Sequence, residues 1–453
     1  MNRRDLLMGA AATAAGLGSH TPPRRPNFLW LVAEDIGPTC LGCTGQPAAL
    51  TPNIDRLAGQ GMRYDRFYTT APVCSASRSA FMTGMYQTTL GAHHHRSHRD
   101  KPFPLPDGVR LLTGRLRDAG YSCGNLVTLP DACGFRGTGK TDWNFEPGER
   151  PFDFSDWSEM RDDGPFLAQL NLWETHRKFA APKRIDRAAV EIPPTYPEHP
   201  VVREDYAQYL DSAAELDRKV GLVLAQLEAD GLADSTVVLF MGDNGEAHIR
   251  GKQFCYEEGL RAPFIVLWPR GIPAPRGYRR GAVERRLLEA IDVAPTLISL
   301  AGAAVPPKMQ GRPFLGPNAA PPKRYAFGAR DRCDETLMRL RTVRDDRYRY
   351  IRNFMPEKPF LSPNAYKAAE YPLWTLLPKL HEEGRLTPAQ AALCAPTMPP
   401  EELYDLRTDP HEIRNLAADP RHAAKLRQLR AVLEEWIRTT DDQGRFPETP
   451  EPM

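Results

Sequence analysis

Two pairs of polar residues follow short apolar runs and carry groups that could bind a cation. Glu34 and Asp35 directly follow one run, and Asp243 and Asn244 directly follow another. Adjacent carboxylates raise each other's pKa unless a cation joins them. Four oxygen donors suit Ca²⁺ or Mg²⁺ better than metals that prefer sulfur or imidazole. Taken singly, Glu34 and Asp35 are better explained as solvated acids in a turn at a strand end, and Asp243 and Asn244 also fit a turn.

Cys74 begins a second group of reactive residues. It precedes the helical run 79–82 and lies close to Arg78. The dipole of a helix N-terminus and a nearby arginine both activate a thiol, so this position predicts a reactive cysteine. Taken alone, however, the position favours a buried, inert cysteine over a reactive one. The other seven cysteines lack zinc-binding spacing and are expected to be buried free thiols or structural disulfides.

The elements that must position these residues follow from the apolar pattern. Short runs rich in Val, Leu and Phe predict buried strands at 28–33, 121–127, 166–172 and 237–241. Helical spacing predicts helices over 109–119 and 205–230. Strands that alternate with helices predict an α/β fold with a largely parallel sheet. Since ligands bind at the carboxyl ends of such strands, and each run leads to polar residues, we expect an active site there.

The last quarter of the chain differs from the rest in its residue composition. Arginine and aspartate dominate 330–349, a strand-like segment follows at 347–351, and an amphipathic helix is predicted over 423–437. We therefore expect a catalytic domain over 26–325 and a smaller C-terminal α+β subdomain over 326–453.

Charge and hydropathy restrict the partners and the location. The formal net charge is only +2 over 453 residues, which argues against a nucleic-acid partner. No segment after the N-terminus approaches the roughly 20 apolar residues of a membrane span. Arg3 and Arg4 precede a mildly apolar stretch, so residues 1–25 are predicted to be a twin-arginine export signal and linker, with a periplasmic destination. A disordered tail is the alternative.

The segment Cys74-Ser75-Ala76-Ser77-Arg78, followed by Thr83-Gly84, resembles the core motif of type I sulfatases. In that family the cysteine is oxidised to formylglycine. Further similarity lies at 26–30, 51–57, 251–259 and 402–416. Scaffold residues over 405–416 resemble most the heparan N-sulfatase (sulfamidase) branch and its bacterial relatives. The resemblance implies an alkaline-phosphatase-like sandwich, with a large, mostly parallel central sheet between helices and a smaller C-terminal subdomain.

The resemblance also implies a role for each matching residue. One cation, Ca²⁺ or alternatively Mg²⁺, is expected to be held by Glu34, Asp35, Asp243, Asn244 and the modified Cys74. Arg78 and Lys140 are expected to stabilise the hydrated aldehyde, and His176 and Lys252 to grip the sulfate and assist the leaving group. The implied activity is hydrolysis of a sulfate ester or sulfamate on a carbohydrate, as in glycosaminoglycan degradation, with N-sulfoglucosamine among the candidates. A formylglycine-generating enzyme is the implied maturation partner.

Three positions depart from the family pattern. Ala76 stands where proline is common, and Glu34 stands where aspartate is commoner. Asp142 replaces a helper histidine, so Asp142 itself or one of the nearby histidines is expected to take over the proton transfer. Those histidines are His93, His94, His95 and His98.

Two charged stretches have alternative interpretations. His93, His94, His95 and Arg96 form either an exposed basic loop or a wall of the substrate site. Arg330 and Arg332 are either solvated surface residues or contacts to a sugar.

Two other functions compete with sulfate hydrolysis. The same fold could hydrolyse a phosphodiester or a phosphonate monoester. The chain could also be a catalytically silent carbohydrate-binding homologue if Cys74 stays unmodified. The Cys-x-Ala-Ser-Arg motif and Asn244 favour sulfate, because they predict a site with one cation rather than two zinc ions.

Overall fold

A computed structural model of the chain describes residues 25–98, 103–160 and 164–446. The predicted export signal lies outside these residues, apart from Arg25. The described residues form these strands: β1 (Asn27–Ala33), β2 (Met62–Tyr64), β3 (Phe67–Tyr68), β4 (Ser122–Thr128), β5 (Phe154–Asp156), β6 (Phe166–Leu172), β7 (Thr236–Gly242), β8 (Phe264–Leu267), β9 (Val283–Glu284), β10 (Leu288–Glu289), β11 (Ala326–Arg330), β12 (Leu340–Arg344), β13 (Tyr348–Asn353) and β14 (Glu401–Asp405).

The same residues form these α-helices: α1 (Pro52–Gln60), α2 (Cys74–Thr83), α3 (Leu112–Asp118), α4 (Pro200–Ala229), α5 (Glu257–Leu260), α6 (Val293–Leu300), α7 (Ala365–Glu370), α8 (Pro372–Glu382), α9 (Pro388–Ala391) and α10 (Ala423–Thr439). Helix α4 starts earlier than the predicted residue 205, because Pro200 occupies its first turn, where proline needs no hydrogen-bond partner.

The central sheet has eight strands in the order β5-β4-β6-β1-β7-β8-β2-β9. Strands β5, β4, β6, β1 and β7 are all parallel, whereas β8 runs antiparallel to both β7 and β2. The four predicted strands are β1, β4, β6 and β7, which are neighbours in this parallel half. Their carboxyl ends therefore meet at one edge of the sheet, as predicted.

Both faces of this sheet are covered. Along β1, Leu29 and Leu31 pack into a core with residues of α4, while Phe28 and Trp30 pack into a second core with residues of α2, α3 and α6. Side chains of a strand alternate between its two faces, so a continuous apolar run is what a doubly covered strand requires. The predicted α/β sandwich is confirmed.

The C-terminal region has its own antiparallel sheet, β11-β12-β13-β14. Helix α10 packs on it through Leu429, Leu433 and Trp436. The predicted α+β subdomain is therefore present, although a domain boundary near residue 325 stays a prediction.

Two smaller predictions concern cysteines and membrane spans. All eight cysteines lie in the described residues as free thiols, so the disulfide alternative is not realised. Among the described residues, no helix combines the length and apolar character that crossing a membrane would demand.

Candidate active site

The ends of β1 and β7 place three acids and an amide at one point. Glu34, Asp35, Asp243 and Asn244 are all fully buried. The Asp35 backbone N–H donates to Asp243 Oδ1 over 3.0 Å, and Asn244 Nδ2 donates to Asp35 Oδ1 over 2.8 Å. Asp35 has a φ of 51°, a left-handed conformation that costs free energy for a non-glycine residue and is concentrated at functional sites.

Cys74 is the first residue of α2 and lies against these acids. Its Sγ is 3.7 Å from Asp35 Oδ1. Burial raises the pKa of the Cys74 thiol above its ordinary value, and the nearby Lys140 and Lys252 do not offset this. This agrees with the buried, inert thiol that the position taken alone favours, because complete desolvation is a tertiary effect that outweighs the local helix dipole here. An unmodified Cys74 is a neutral thiol.

Three basic groups approach the acids from other segments. Lys140 Nζ is 2.7 Å from Glu34 Oε2, and Lys252 Nζ is 2.6 Å from Asp35 Oδ2. Lys252 Nζ also lies 3.1 Å from His176 Nε2. Burial, reinforced by the Lys252 ammonium, lowers the pKa of His176 to about 4, so the imidazole is neutral near pH 7.

Arg78 supports the site from one turn further along α2. Its Nε donates to Asp243 Oδ2 over 2.9 Å, and one terminal nitrogen donates to Asn171 Oδ1 over 2.6 Å. Asn171 was not among the predicted site residues. Its signal was a polar side chain near the end of the predicted strand 166–172, where a doubly covered strand should be apolar.

The site has the properties of a cation site. Glu34 Oε1 and Asn244 Oδ1 are buried and have no hydrogen-bond partner within the described residues. Possible ligand atoms of Asp35, Cys74 and Asp243 all lie within 4.8 Å of one another, as do those of Glu34, Cys74 and His176. Buried oxygen atoms without partners are rare and costly, so this donor set fits a hard divalent cation such as Ca²⁺.

A protein-family model described as Sulfatase matches residues 26–146 and 149–303. These segments make up more than half of the chain and contain every residue of the set just described. The chain belongs to the sulfatase family. Members of this family generally use a formylglycine and a divalent metal ion, and the buried acids give this sulfatase a possible metal-binding cluster.

Relatives of this sulfatase act on sulfated sugars according to their names. An ulvan-active sulfatase of Formosa agariphila is 32% identical, over 94% of this chain and 77% of the relative. The human N-sulphoglucosamine sulphohydrolase is 27% identical, over 92% of this chain and 91% of the relative. The predicted family is thus confirmed.

Solved structures support the fold. A 2-O GAG sulfatase has a TM-score of 0.65 and 20% identity, with 94% of each chain covered. A phosphonate monoester hydrolase of Silicibacter pomeroyi also has a TM-score of 0.65, with 17% identity and coverage of 93% of this chain and 96% of its own. The fold is therefore shared by enzymes named for sulfate and for phosphonate chemistry.

The histidine stretch of this sulfatase is not an exposed loop. His93, His94 and His95 are only 7%, 8% and 5% exposed, so that alternative is wrong for them. His95 Nδ1 lies 2.9 Å from Ser75 Oγ, next to Cys74, and His94 Nδ1 accepts from the backbone N–H of Arg332. Local sequence could not reveal this burial, because the contacts come from distant residues.

Asp142 and Arg96 lie beside the same site. Asp142 Oδ2 is 3.7 Å from Lys140 Nζ, and its Oδ1 is 3.8 Å from Arg96 Nε. Although burial opposes ionisation, Lys140 and Arg96 lower the pKa of Asp142, so the carboxylate stays ionised. Asp142 is thus placed to orient Lys140, and its role in proton transfer stays a prediction.

Arg330 and Arg332 differ in environment. The Arg330 guanidinium is buried over the Phe254 ring at 4.8 Å, so a solvated position is wrong for Arg330. Arg332 is half-buried and donates to the backbone oxygen of Asp334 over 3.0 Å. Sugar contacts by either arginine stay a prediction.

Proposed function

We propose that this sulfatase removes sulfate, as an ester or a sulfamate, from a carbohydrate, using a formylglycine made from Cys74 and one divalent cation, Ca²⁺ or Mg²⁺. The observation that carries the proposal is the convergence of buried acids, Cys74 and basic side chains at one edge of the sheet. Such a set can surround a tetrahedral anion with positive charge beside residue 74.

The chain's own residues divide the work by position. Lys140 and Arg78 contact the acids from the side of Cys74 and would hold a hydrated side chain at position 74. Lys252 donates to both Asp35 and His176, so its ammonium can neutralise the sulfate and supply a proton to the departing oxygen or nitrogen. Preorganised donors of this kind are each worth roughly 10²–10³ in rate.

The divalent cation and the formylglycine would each contribute one chemical property to the site. Glu34, Asp35, Asp243 and Asn244 would hold a divalent cation, which would supply positive charge to the sulfate oxygens. A formylglycine at position 74 would supply, as its hydrate, a hydroxyl nucleophile. The neutral His176 imidazole has its Nδ1 2.5 Å from the Arg177 carbonyl oxygen, which fixes Nε2 as the acceptor towards Lys252.

A substrate panel tests this function. The purified enzyme would be given N-sulfoglucosamine, glucosamine 6-sulfate, N-acetylgalactosamine 6-sulfate, an aryl sulfate and a phosphonate monoester, with the Cys74→Ala variant as control. We expect sulfate release from at least one sugar and from the aryl sulfate, and none by the variant.

The outcome also decides between the competing functions. Faster turnover of the phosphonate ester than of every sulfate would establish the alternative that the shared fold leaves open. The absence of turnover of every compound by enzyme from the native host, in which Cys74 is found to be an ordinary thiol, would favour a silent sugar-binding homologue.

Maturation and location belong to the same proposal. Oxidation of Cys74 requires a formylglycine-generating enzyme, and the unmodified thiol is a neutral group that cannot replace its product. Export to the periplasm rests on Arg3 and Arg4 in the proposed signal, residues 1–25. Residues 26–325 would then form the catalytic domain and residues 326–453 the C-terminal subdomain.

A further inference from the structure

Trp173 is an exposed aromatic residue beside the active site. It directly follows Leu172, the last residue of β6, at the edge where the catalytic residues meet. The residue is 47% exposed. Tryptophan is well buried on average and is enriched at binding interfaces, so a half-exposed indole next to a reaction centre is a candidate contact for a bound molecule.

A turn fixes the indole against His176. The backbone N–H of His176 donates to the Trp173 carbonyl oxygen over 2.8 Å. The two rings stack with centroids 4.5 Å apart and planes 20° apart. Within the described residues, the other strongly exposed aromatic side chains, Phe354 and Phe446, make no ring contact with a residue of the active site.

We propose that Trp173 is a specificity-determining residue that stacks on the ring of the sulfated sugar. This inference rests on the proposed function. The C–H groups on one face of a pyranose are apolar, while its rim carries the hydroxyls, so an indole face can cover the former without removing water from the latter. The site would thus bind the sulfate through its basic side chains and the sugar ring through the indole of Trp173.

The stacking on His176 suggests a competing role. Trp173 could act only by holding the imidazole in place. In that case the loss of Trp173 lowers kcat for every substrate, because the His176 imidazole takes part in the turnover of all of them. If Trp173 instead stacks on the sugar as a sugar platform, its loss raises KM for sugars. The binding of inorganic sulfate then stays unchanged, because the sulfate ion has no ring to stack.

The test compares Trp173→Ala and Trp173→Phe with the native enzyme. Phe354→Ala is the matched control, since Phe354 is 37% exposed and lies beside Arg339 in the C-terminal region. For the fastest sugar of the panel, KM and kcat are measured by ion chromatography of released sulfate. The inhibition constant of inorganic sulfate is measured on the same samples.

We expect Trp173→Ala to raise KM for the sugar by about tenfold, the usual scale of one aromatic stacking contact. Trp173→Phe should raise it less, and kcat and sulfate inhibition should stay within about twofold of native. An unchanged KM, or a lower kcat at an unchanged KM, would overturn the proposal. Native enzyme that hydrolyses the aryl sulfate but no sugar would refute the sugar platform while sulfatase activity stands, whereas no turnover of any ester would refute both.

Discussion

Two fully buried arginines show how this protein separates chemistry from stability. Arg341 in the C-terminal sheet uses all of its N–H groups, donating to Asp331, Asp442 and the carbonyl oxygens of Arg330 and Leu340. Arg78 at the active site has a terminal nitrogen that finds no hydrogen-bond partner in the described part of the chain and lies 3.7 Å from Glu34 Oε1.

The neighbouring polar groups show the same contrast only in part. Among the described residues, Glu34 and Asn244 in the active site each keep one oxygen without a hydrogen-bond partner, which suits them to an ion or a substrate that completes their bonding. In the C-terminal network, Asp442 uses both carboxylate oxygens, whereas Oδ2 of Asp331 also has no partner among those residues. The difference between the two arginines therefore indicates that Arg78 belongs to a site assembled for a ligand, whereas Arg341 stabilises the fold.

Removal of the cation should have the largest effect. Exhaustive chelation is expected to abolish sulfate release, because Glu34, Asp35 and Asp243 would repel each other and the sulfate. Adding Ca²⁺ should restore activity and raise the melting temperature, since Ca²⁺ at 100 times its dissociation constant adds about 2.7 kcal/mol to the free energy of unfolding. Assay and calorimetry on the same sample measure both.

A matched acid provides the control for the cation prediction. Glu289 is buried near Asp292 and bound by Lys323, away from the active site. Glu289→Gln should leave the calcium response unchanged, whereas Glu34→Gln should weaken it. Full activity in metal-free enzyme would contradict the cation site.

The second-largest effects are expected when Arg78 and Arg341 are each replaced by methionine, and they should differ between the two regions. Arg78→Met is expected to lower kcat/KM by roughly 10²–10³, because it removes a preorganised charge, with a smaller loss of stability in calcium-loaded enzyme. Arg341→Met should cost about 3–5 kcal/mol of unfolding free energy, since it leaves buried acids without their partner. Steady-state kinetics and urea denaturation distinguish the two. If both variants lost the same stability and kept full activity per folded molecule, the distinction between a catalytic Arg78 and a structural Arg341 would be wrong.

Lys367 links the two regions, and its replacement should have an intermediate effect. This lysine on α7 is fully buried, and its Nζ donates to the carbonyl oxygens of Ile249 and Lys252 over 3.0 and 2.8 Å. Lys367→Met should lower kcat by about tenfold, because the backbone that carries Lys252 would lose its anchor. It should also cost about 2 kcal/mol of stability, since two buried carbonyls lose a donor.

The control for this effect is Lys425→Met. Lys425 is partly exposed and pairs with the buried Asp345 in the C-terminal region. Its loss should lower stability but leave kcat unchanged, because its ammonium pairs with Asp345 and not with the backbone that carries Lys252. If Lys367→Met reduced stability but left kcat unchanged, Lys367 would serve packing alone.

Sequence patterns predicted the parallel half of the sheet well. The runs ending at Ala33, Leu172 and Met241 end within one residue of the observed strands, because a strand buried on both faces is apolar throughout. The polar residues that follow these runs could therefore be assigned to one edge before their distances were known.

Tertiary effects explain what the sequence did not predict. The raised pKa of the Cys74 thiol and the burial of His95 depend on residues distant in the chain. Lys367 lies far from Lys252 in sequence and carries no motif, so nothing local indicates their contact. Nothing in the sequence around Trp173 indicates that its ring stacks on His176.

The mass of the peptide that contains residue 74 tests the central claim most directly. Enzyme matured in its native host would be digested, and the fraction with an aldehyde at position 74 would be compared with its specific activity. We predict that activity rises in proportion to the aldehyde fraction and vanishes for the thiol form, because a thiol cannot form the hydrate that would supply the hydroxyl nucleophile. A fully active enzyme in which Cys74 remains an ordinary thiol would contradict the account.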